Sequence, residues 1–238
     1  MIEINGLTKC YKNRIAVNEL SLKIDDGEIF GLLGLNGAGK TTTIKMLSRV
    51  AVPTKGSATV YGHALSDVEG LKSVIGISPQ ESAVSPVLTV KENLVFVATL
   101  YGFDNKDAKT RAENLMRKFD LIDRAKDKAK SLSGGLCRRL SIAMALISEP
   151  KVLFLDEPTL GLDILARREL WSIIKSLKKE MTVVLTTHYL EETEALCDKI
   201  AIMRDGKLVA VGTSDELIKL SGKENFEEAF IKLSGESA

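Results

Sequence analysis

Residues 28–42 read EIFGLLGLNGAGKTT, an apolar run that passes without a break into a glycine-rich turn and then Lys-Thr-Thr. The apolar part has the near-continuous hydrophobicity of a strand buried on both faces. Residues 39–50 carry a helical pattern that stops before Pro53. Between the two, Gly34, Asn36, Gly37, Ala38 and Gly39 fit the strand–loop–helix setting of a phosphate-cradling loop. The glycines let successive N–H groups point at phosphate oxygens, and the helix N-terminus adds a dipole favourable to an anion. In that setting Lys40 reaches the β- and γ-phosphates of a nucleotide and the Thr41 hydroxyl ligates Mg²⁺, with Thr42 beside it in the cradle. The other reading of such a stretch is a glycine-rich turn that binds nothing; here every required position is filled.

Outward from this loop, short runs of the same apolar kind recur: IEINGL, SATVYG, VIGIS, KVLFLD, TVVLTT and KIAIM, with turns and helical patterns between them. They predict an α/β core with a largely parallel sheet. Residues 89–150 differ, because TVKENLVFVATLYGF, AKTRAENLMRKF and RRLSIAMALIS are all helical in pattern with no strand among them. This stretch reads as a helical subdomain inserted into the core. A further helix is predicted over 160–179, where Leu170, Trp171, Ile174 and Leu177 recur at helical spacing and Trp171 serves packing. Asp205-Gly206 marks a hairpin, and SDELIKLSG and NFEEAFIKLSG close the chain as two short helices.

Two further motifs carry chemistry. Lys151-Val-Leu-Phe-Leu-Asp156-Glu157-Pro158 is an apolar strand that delivers two acids at its C-terminal end, where open α/β sheets place their ligands. Asp156 is suited to hold Mg²⁺ and Glu157 to orient and deprotonate an attacking water. Taken alone, two such acids also fit a solvated loop or a helix cap. Leu132-Ser133-Gly134-Gly135, ahead of a helical run, is a second anion-binding device, or by itself a plain helix start. One nucleotide does not need two cradles, whereas two chains facing each other do.

The order and spacing of these three elements resemble the ATP-binding cassette (ABC) family of ATPases over essentially the whole chain. The resemblance implies a P-loop NTPase core of α/β type, with a small antiparallel β subdomain and the inserted α-helical subdomain. It implies a single cassette domain over 1–238, with 1–88 and 151–238 forming the core and 89–150 the helical part. Tyr11 matches the aromatic residue on which the family stacks adenine. Gln80 matches the glutamine that contacts Mg²⁺ and the attacking water, and it starts the segment touching the transmembrane partner. His188 matches the histidine that contacts the γ-phosphate, and Asp163 the aspartate of the loop crossing the dimer interface. His63 has no such match. The implied mechanism pairs two cassettes head to tail, each ATP lying between one chain's phosphate loop and the other's Ser133-Gly134-Gly135. One departure stands out: the family's glutamine after the two glycines is Leu136 here, which offers no side-chain hydrogen bond.

Bulk properties bound the partners. In 238 residues, 33 Lys and Arg face 32 Asp and Glu and are spread along the chain, so no nucleic-acid partner is expected. Cys10, Cys137 and Cys197 are in no ligand-type spacing, which fits a reducing cytoplasm and gives neither a disulfide framework nor a metal site. The N-terminus is not a signal peptide, and runs such as IFGLLGL are far shorter than the roughly 18–20 residues that cross a bilayer. A membrane role therefore needs a permease partner, with the chain peripheral on the cytoplasmic face. The stretch from Gln80 through SAVSPVLTVKENL and the ending FEEAFIKLSG resemble ATPases of bacterial drug, lipid or polysaccharide exporters, and the end soon after the core argues against an importer's added regulatory domain. The expected assembly is an ATP-dependent pair of cassettes, normally identical, on a separate transmembrane permease. A soluble single-cassette ATPase, for example of iron–sulfur cluster assembly, is the alternative.

Overall fold

The computed structural model describes residues 1–81, 83–178 and 180–235. Ser82, Lys179 and 236–238, which the exporter-like stretch, the 160–179 helix and the closing core segment reach, lie outside the described residues.

The chain opens with an antiparallel hairpin of β1 (Ile2–Tyr11) and β2 (Arg14–Ile24). The alternation that should betray β2 slips in its middle: Val17 and Leu20 are both buried although three residues apart. Glu19 takes φ 50 there and the pairing shifts register, so the strand carries a bulge that resets which side chains face inward. This is why period-two reading does not find β2, which no sequence expectation covered. The strand β3 (Ile29–Leu33) is buried at all five positions and leads through the glycine-rich loop into α1 (Lys40–Leu47). That helix ends sooner than the expected 39–50, because Ser48 turns its hydroxyl back to the Ile44 carbonyl at 2.7 Å and Arg49 adopts φ 61. The strands β4 (Lys55–Val60) and β5 (His63–Ala64) complete a four-stranded antiparallel sheet in the order β2-β1-β4-β5. A short helix α2 (Val68–Val74), capped by Asp67, then feeds β6 (Ile75–Ser78).

Helices fill the next stretch. α3 (Val90–Leu100) begins with a reciprocal Thr89–Glu92 capping box, α4 (Asn105–Lys118) with Asp104, and α5 (Gly134–Ala145) with Ser133. Val90, Leu94, Ala98, Ala112, Met116 and Leu140 lock these helices into one apolar core that continues to Leu153 and Leu155 of β7 (Val152–Asp156). The expected strand-free run holds, apart from a single bridge between Thr89 and Lys128.

After β7 come α6 (Ile164–Leu177), β8 (Thr182–Thr187), α7 (Leu190–Leu196), β9 (Lys199–Arg204) and β10 (Lys207–Gly212), then α8 (Ser214–Ser221) and α9 (Phe226–Ser234). The predicted helix over 160–179 begins only at Ile164, because Gly161 is left-handed at φ 75 and Asp163 caps the first turn by accepting from Ala166 N–H at 2.9 Å. The hairpin at Asp205-Gly206 forms as expected, both residues at positive φ.

The second sheet runs β10-β9-β3-β8-β7-β6, with β9, β3, β8, β7 and β6 parallel and β10 antiparallel. Central β3, β8 and β7 are buried throughout, as their unbroken apolar runs require. Parallel pairing sends the C-terminal ends of β3, β6, β7 and β8 to one edge. That edge collects Asp156 at the end of β7 and, one or a few residues past their strands, the glycine-rich loop, Gln80, Glu157 and His188.

Candidate active site

The glycine-rich loop folds as tightly as its composition demands. Gly37 and Gly39 sit at φ 86 and 102, and a Cβ on Gly39 would lie 2.7 Å from the Ala16 carbonyl oxygen, so only glycine fits. Lys40, 5% exposed, curls back on the loop and donates to the carbonyls of Gly34 at 2.6 Å and Leu35 at 3.2 Å. Its ammonium also lies 3.4 Å from Glu157 Oε1. Burial lowers the Lys40 pKa, and the Glu157 and Asp156 carboxylates oppose that shift. The result is a desolvated cation folded back on the glycine-rich loop, held by two neutral carbonyls beside the Glu157 carboxylate.

Asp156 closes β7 and is the hub of a hydroxyl cluster. Its Oδ1 accepts from Thr41 Oγ1 at 2.9 Å and from Thr186 Oγ1 at 2.6 Å. Thr186, at the end of β8, in turn accepts the Glu157 N–H on its own hydroxyl at 3.0 Å. Glu157 is 7% exposed and takes φ 47, a left-handed conformation that costs a non-glycine residue about 1–2 kcal/mol. Such strain persists where the surroundings over-determine it. Glu157 Oε2 stands 2.9 Å from His188 Nδ1, with neither atom aligned for a hydrogen bond.

A cavity of about 560 Å³ opens over this floor. Tyr11, Asn36, Gly37, Ala38, Gly39, Lys40, Thr41 and Thr42 line it, as do Gln80, Glu157 and His188. Gly34 and Asp156 lie just beneath, joined to it through Lys40 and Thr41. Tyr11 is 45% exposed, with the Lys9 ammonium 4.9 Å from its ring centroid. The oxygen donors here, the Asp156 carboxylate, the Thr41 hydroxyl and the Gln80 amide, fit Mg²⁺, which takes one or two carboxylates and completes its shell with phosphates and water. No group of three or more His, Cys, Asp or Glu among the described residues would hold a metal through protein ligands alone.

Ser133, Gly134 and Gly135 are not brought to this cavity. Ser133 and Gly134 are exposed at the start of α5, where Ser133 Oγ accepts the Leu136 N–H at 3.4 Å. Beside them lies the start of α6: a Cβ on Gly135 would come 3.0 Å from the Ala166 Cβ. The Leu136 side chain packs on the core of the helical part. His63 pairs with Asp67 at 2.8 Å, remote from the cavity lining, and the three cysteines form no disulfide.

Sequence reasoning missed several neighbours of the site. Arg14 lines the cavity, its Nη2 3.3 Å from where a Gly37 Cβ would stand, so a second cation faces the loop. Thr186 looked like one more residue of an apolar strand. Glu192, on α7, is wholly buried, accepts from Trp171 Nε1 at 3.2 Å, and has its pKa raised by burial and, to a lesser degree, by Glu157, with the Thr187, Thr159 and Trp171 donors opposing. Trp171 thus does more than fill space. The only signal for such contacts is a polar residue on an otherwise buried strand or helix face.

Comparison with known proteins agrees with this geometry. Residues 17–160 match the family described as ABC transporter. The linearmycin resistance ATP-binding protein LnrL of Bacillus subtilis is 41% identical over 93% of this chain and 72% of its own. The doxorubicin resistance ATP-binding protein DrrA of Mycobacterium tuberculosis is 40% identical over 93% of this chain and 68% of its own. A dimeric ATP-binding cassette in a post-hydrolysis state, bound to ADP and phosphate, superposes with a TM-score of 0.81 at 26% identity, covering 90% of this chain and 98% of that one. With a phosphate loop, a carboxylate pair and a histidine converging on one cavity, and with this kinship over nearly its full length, the chain belongs to the ABC transporter family and is one of its ATPases.

Proposed function

We propose that the chain is the motor subunit of an export system, working as one cassette on the cytoplasmic face of the membrane with 89–150 as the lobe that meets its partners. The observation that carries this is the convergence of Lys40, Thr41, Asp156, Glu157 and His188 on one cavity. Tyr11 stacks the adenine, and residues 34–42 with Lys40 hold the phosphates, displacing the Gly34 and Leu35 carbonyls from the ammonium. Thr41, Asp156 and Gln80 hold Mg²⁺, which supplies charge neutralisation at the phosphates when bound. Glu157 aligns and deprotonates the attacking water, and His188, beside it, contacts the γ-phosphate.

Ser133, Gly134 and Gly135 serve the nucleotide of a second copy, since they lie outside the cavity of their own chain. Asp163 caps the adjoining turn that runs along the same face. ATP thereby joins two copies, and loss of the γ-phosphate releases them, which drives a separate permease. No helix among the described residues is long and apolar enough to cross a membrane. Relatives named for drug resistance support export as the direction of transport.

Light scattering on Glu157→Gln with and without ATP and Mg²⁺, beside phosphate release by the wild type, tests the reading. The variant is expected to dimerise only with ATP and to lose turnover. A variant that binds ATP but stays monomeric, or one that hydrolyses like the wild type, refutes the shared site or the base respectively.

A further inference from the structure

Arg138, on α5 just beyond the Ser133–Gly135 turn, is 8% exposed, and each of its three hydrogen bonds goes to a backbone carbonyl. Nη2 donates to the Asp156 carbonyl at 2.8 Å and Nε to the Pro158 carbonyl at 3.0 Å, one on either side of Glu157. Nη1 donates to the Pro79 carbonyl, immediately before Gln80. Neighbouring Arg139 points elsewhere, pairing with Glu169 of α6 and lying 3.6 Å from Asp120 after α4. The helix is thus braced outward by one arginine and tied to the catalytic edge by the other.

We infer that Arg138 is a positioning residue for hydrolysis: from the helix that presents Ser133-Gly134-Gly135, it fixes the backbone on both sides of Glu157 and just before Gln80. The inference rests on Glu157 being the base, as proposed above. Glu157 is left-handed at φ 47, a conformation that relaxes unless the backbone around it is held, and Arg138 holds the carbonyl of the peptide before it and, one peptide beyond it, the carbonyl of Pro158. A guanidinium suits the task because its donors form a rigid planar fork that engages three carbonyls at once, whereas an ammonium is a single point. Ser133 lies about 7.5 Å along the helix axis from Arg138, at 1.5 Å per residue. A shift of α5 when its N-terminus takes up a phosphate therefore reaches the base and the Gln80 segment of the same chain directly. Alignment of the base becomes dependent on occupancy of the second cradle.

The test uses Arg138→Met and Arg138→Lys in the full chain. It compares ATP turnover, affinity for fluorescently labelled ATP, thermal stability, and ATP-dependent dimerisation in the Glu157→Gln background. The methionine variant is expected to lose about 10²-fold in kcat, the scale of a small misalignment of reacting groups. Its ATP affinity should stay within about twofold and its dimerisation be retained, a loss confined to the chemical step. The lysine variant should recover part of the rate. A folded methionine variant with kcat within about twofold of wild type, or a loss of rate matched by an equal loss of affinity or dimerisation, overturns the inference. Should the methionine variant not fold, the lysine variant is judged by the same criteria. Full turnover by Glu157→Gln alone refutes the base assignment instead, and the inference with it.

Discussion

At the scale of single residues, what matters is how few atoms set the geometry of the site. Thr186 is the case in point: its hydroxyl donates to Asp156 and accepts from the Glu157 N–H, joining the proposed metal carboxylate to the proposed base. Thr186→Val keeps the shape, leaves the Glu157 N–H its bond to the Thr186 carbonyl at 3.1 Å, and strips Asp156 of one donor. Removing a buried hydrogen bond to a charged group costs about 1–3 kcal/mol, so urea melts should show a loss on that scale. kcat should fall about tenfold, equal to about 1.4 kcal/mol of barrier, with ATP affinity little changed. A variant as active as wild type would show that Thr41 alone orients Asp156. Lys40 with Thr41, and Asp156 with Glu157, were legible because each pair sits side by side in a short motif whose residue types phosphate chemistry demands. Arg14, Thr186 and Arg138 were not, since their partners come from segments far away in sequence and no local pattern announces the meeting. Leu136 shows the converse: a departure visible in sequence proves to be a packing residue, its side chain turned to the core of the helical part.

At the scale of elements, the short helix α7 is the clearest test of burial against charge. It carries Glu192 into the interior, between Trp171 of α6 and the end of β8, where burial raises the carboxyl above its ordinary 4.5. A raised acid is stabilised in the fold while protonated, so its contribution is complete below about pH 4.5 and is lost as pH rises through the folded value. Glu192→Gln keeps an acceptor for Trp171 and removes that titration. The difference in Tm, variant minus wild type, should therefore grow as pH rises from about 4.5 toward neutrality. A difference independent of pH would mean that the nearby Arg138 guanidinium compensates the charge throughout. The elements themselves were legible where one period governed them. The buried strands β3, β7 and β8 and the helices α3 to α5 announce themselves, whereas β2 hides behind the bulge at Glu19. The short α2 and α7 escaped as well, α2 because it buries only Leu71 and α7 because it has no side-chain N-cap.

At the scale of the molecule, the fold presents half of each proposed site on separate surfaces: the cavity with Lys40, and the exposed turn at Ser133-Gly134. If each nucleotide is shared between copies, the two halves fail independently and complement each other. Lys40→Ala removes the phosphate cation, and Ser133→Glu puts a like charge where a phosphate of the opposing nucleotide would lie, on an exposed residue that leaves the core intact. Each variant alone is then expected to show little turnover, because both of its sites carry the same defect. In an equimolar mixture, half of the pairs are hybrids. In a hybrid one site collects both defects and the other is whole, so turnover should recover toward at most about one quarter of wild type. Phosphate release from the mixture, set against the sum of the two variants measured separately, reads this directly. Activity no greater than that sum would mean that one chain completes its own site, and the exposed cradle at α5 would then need another ligand.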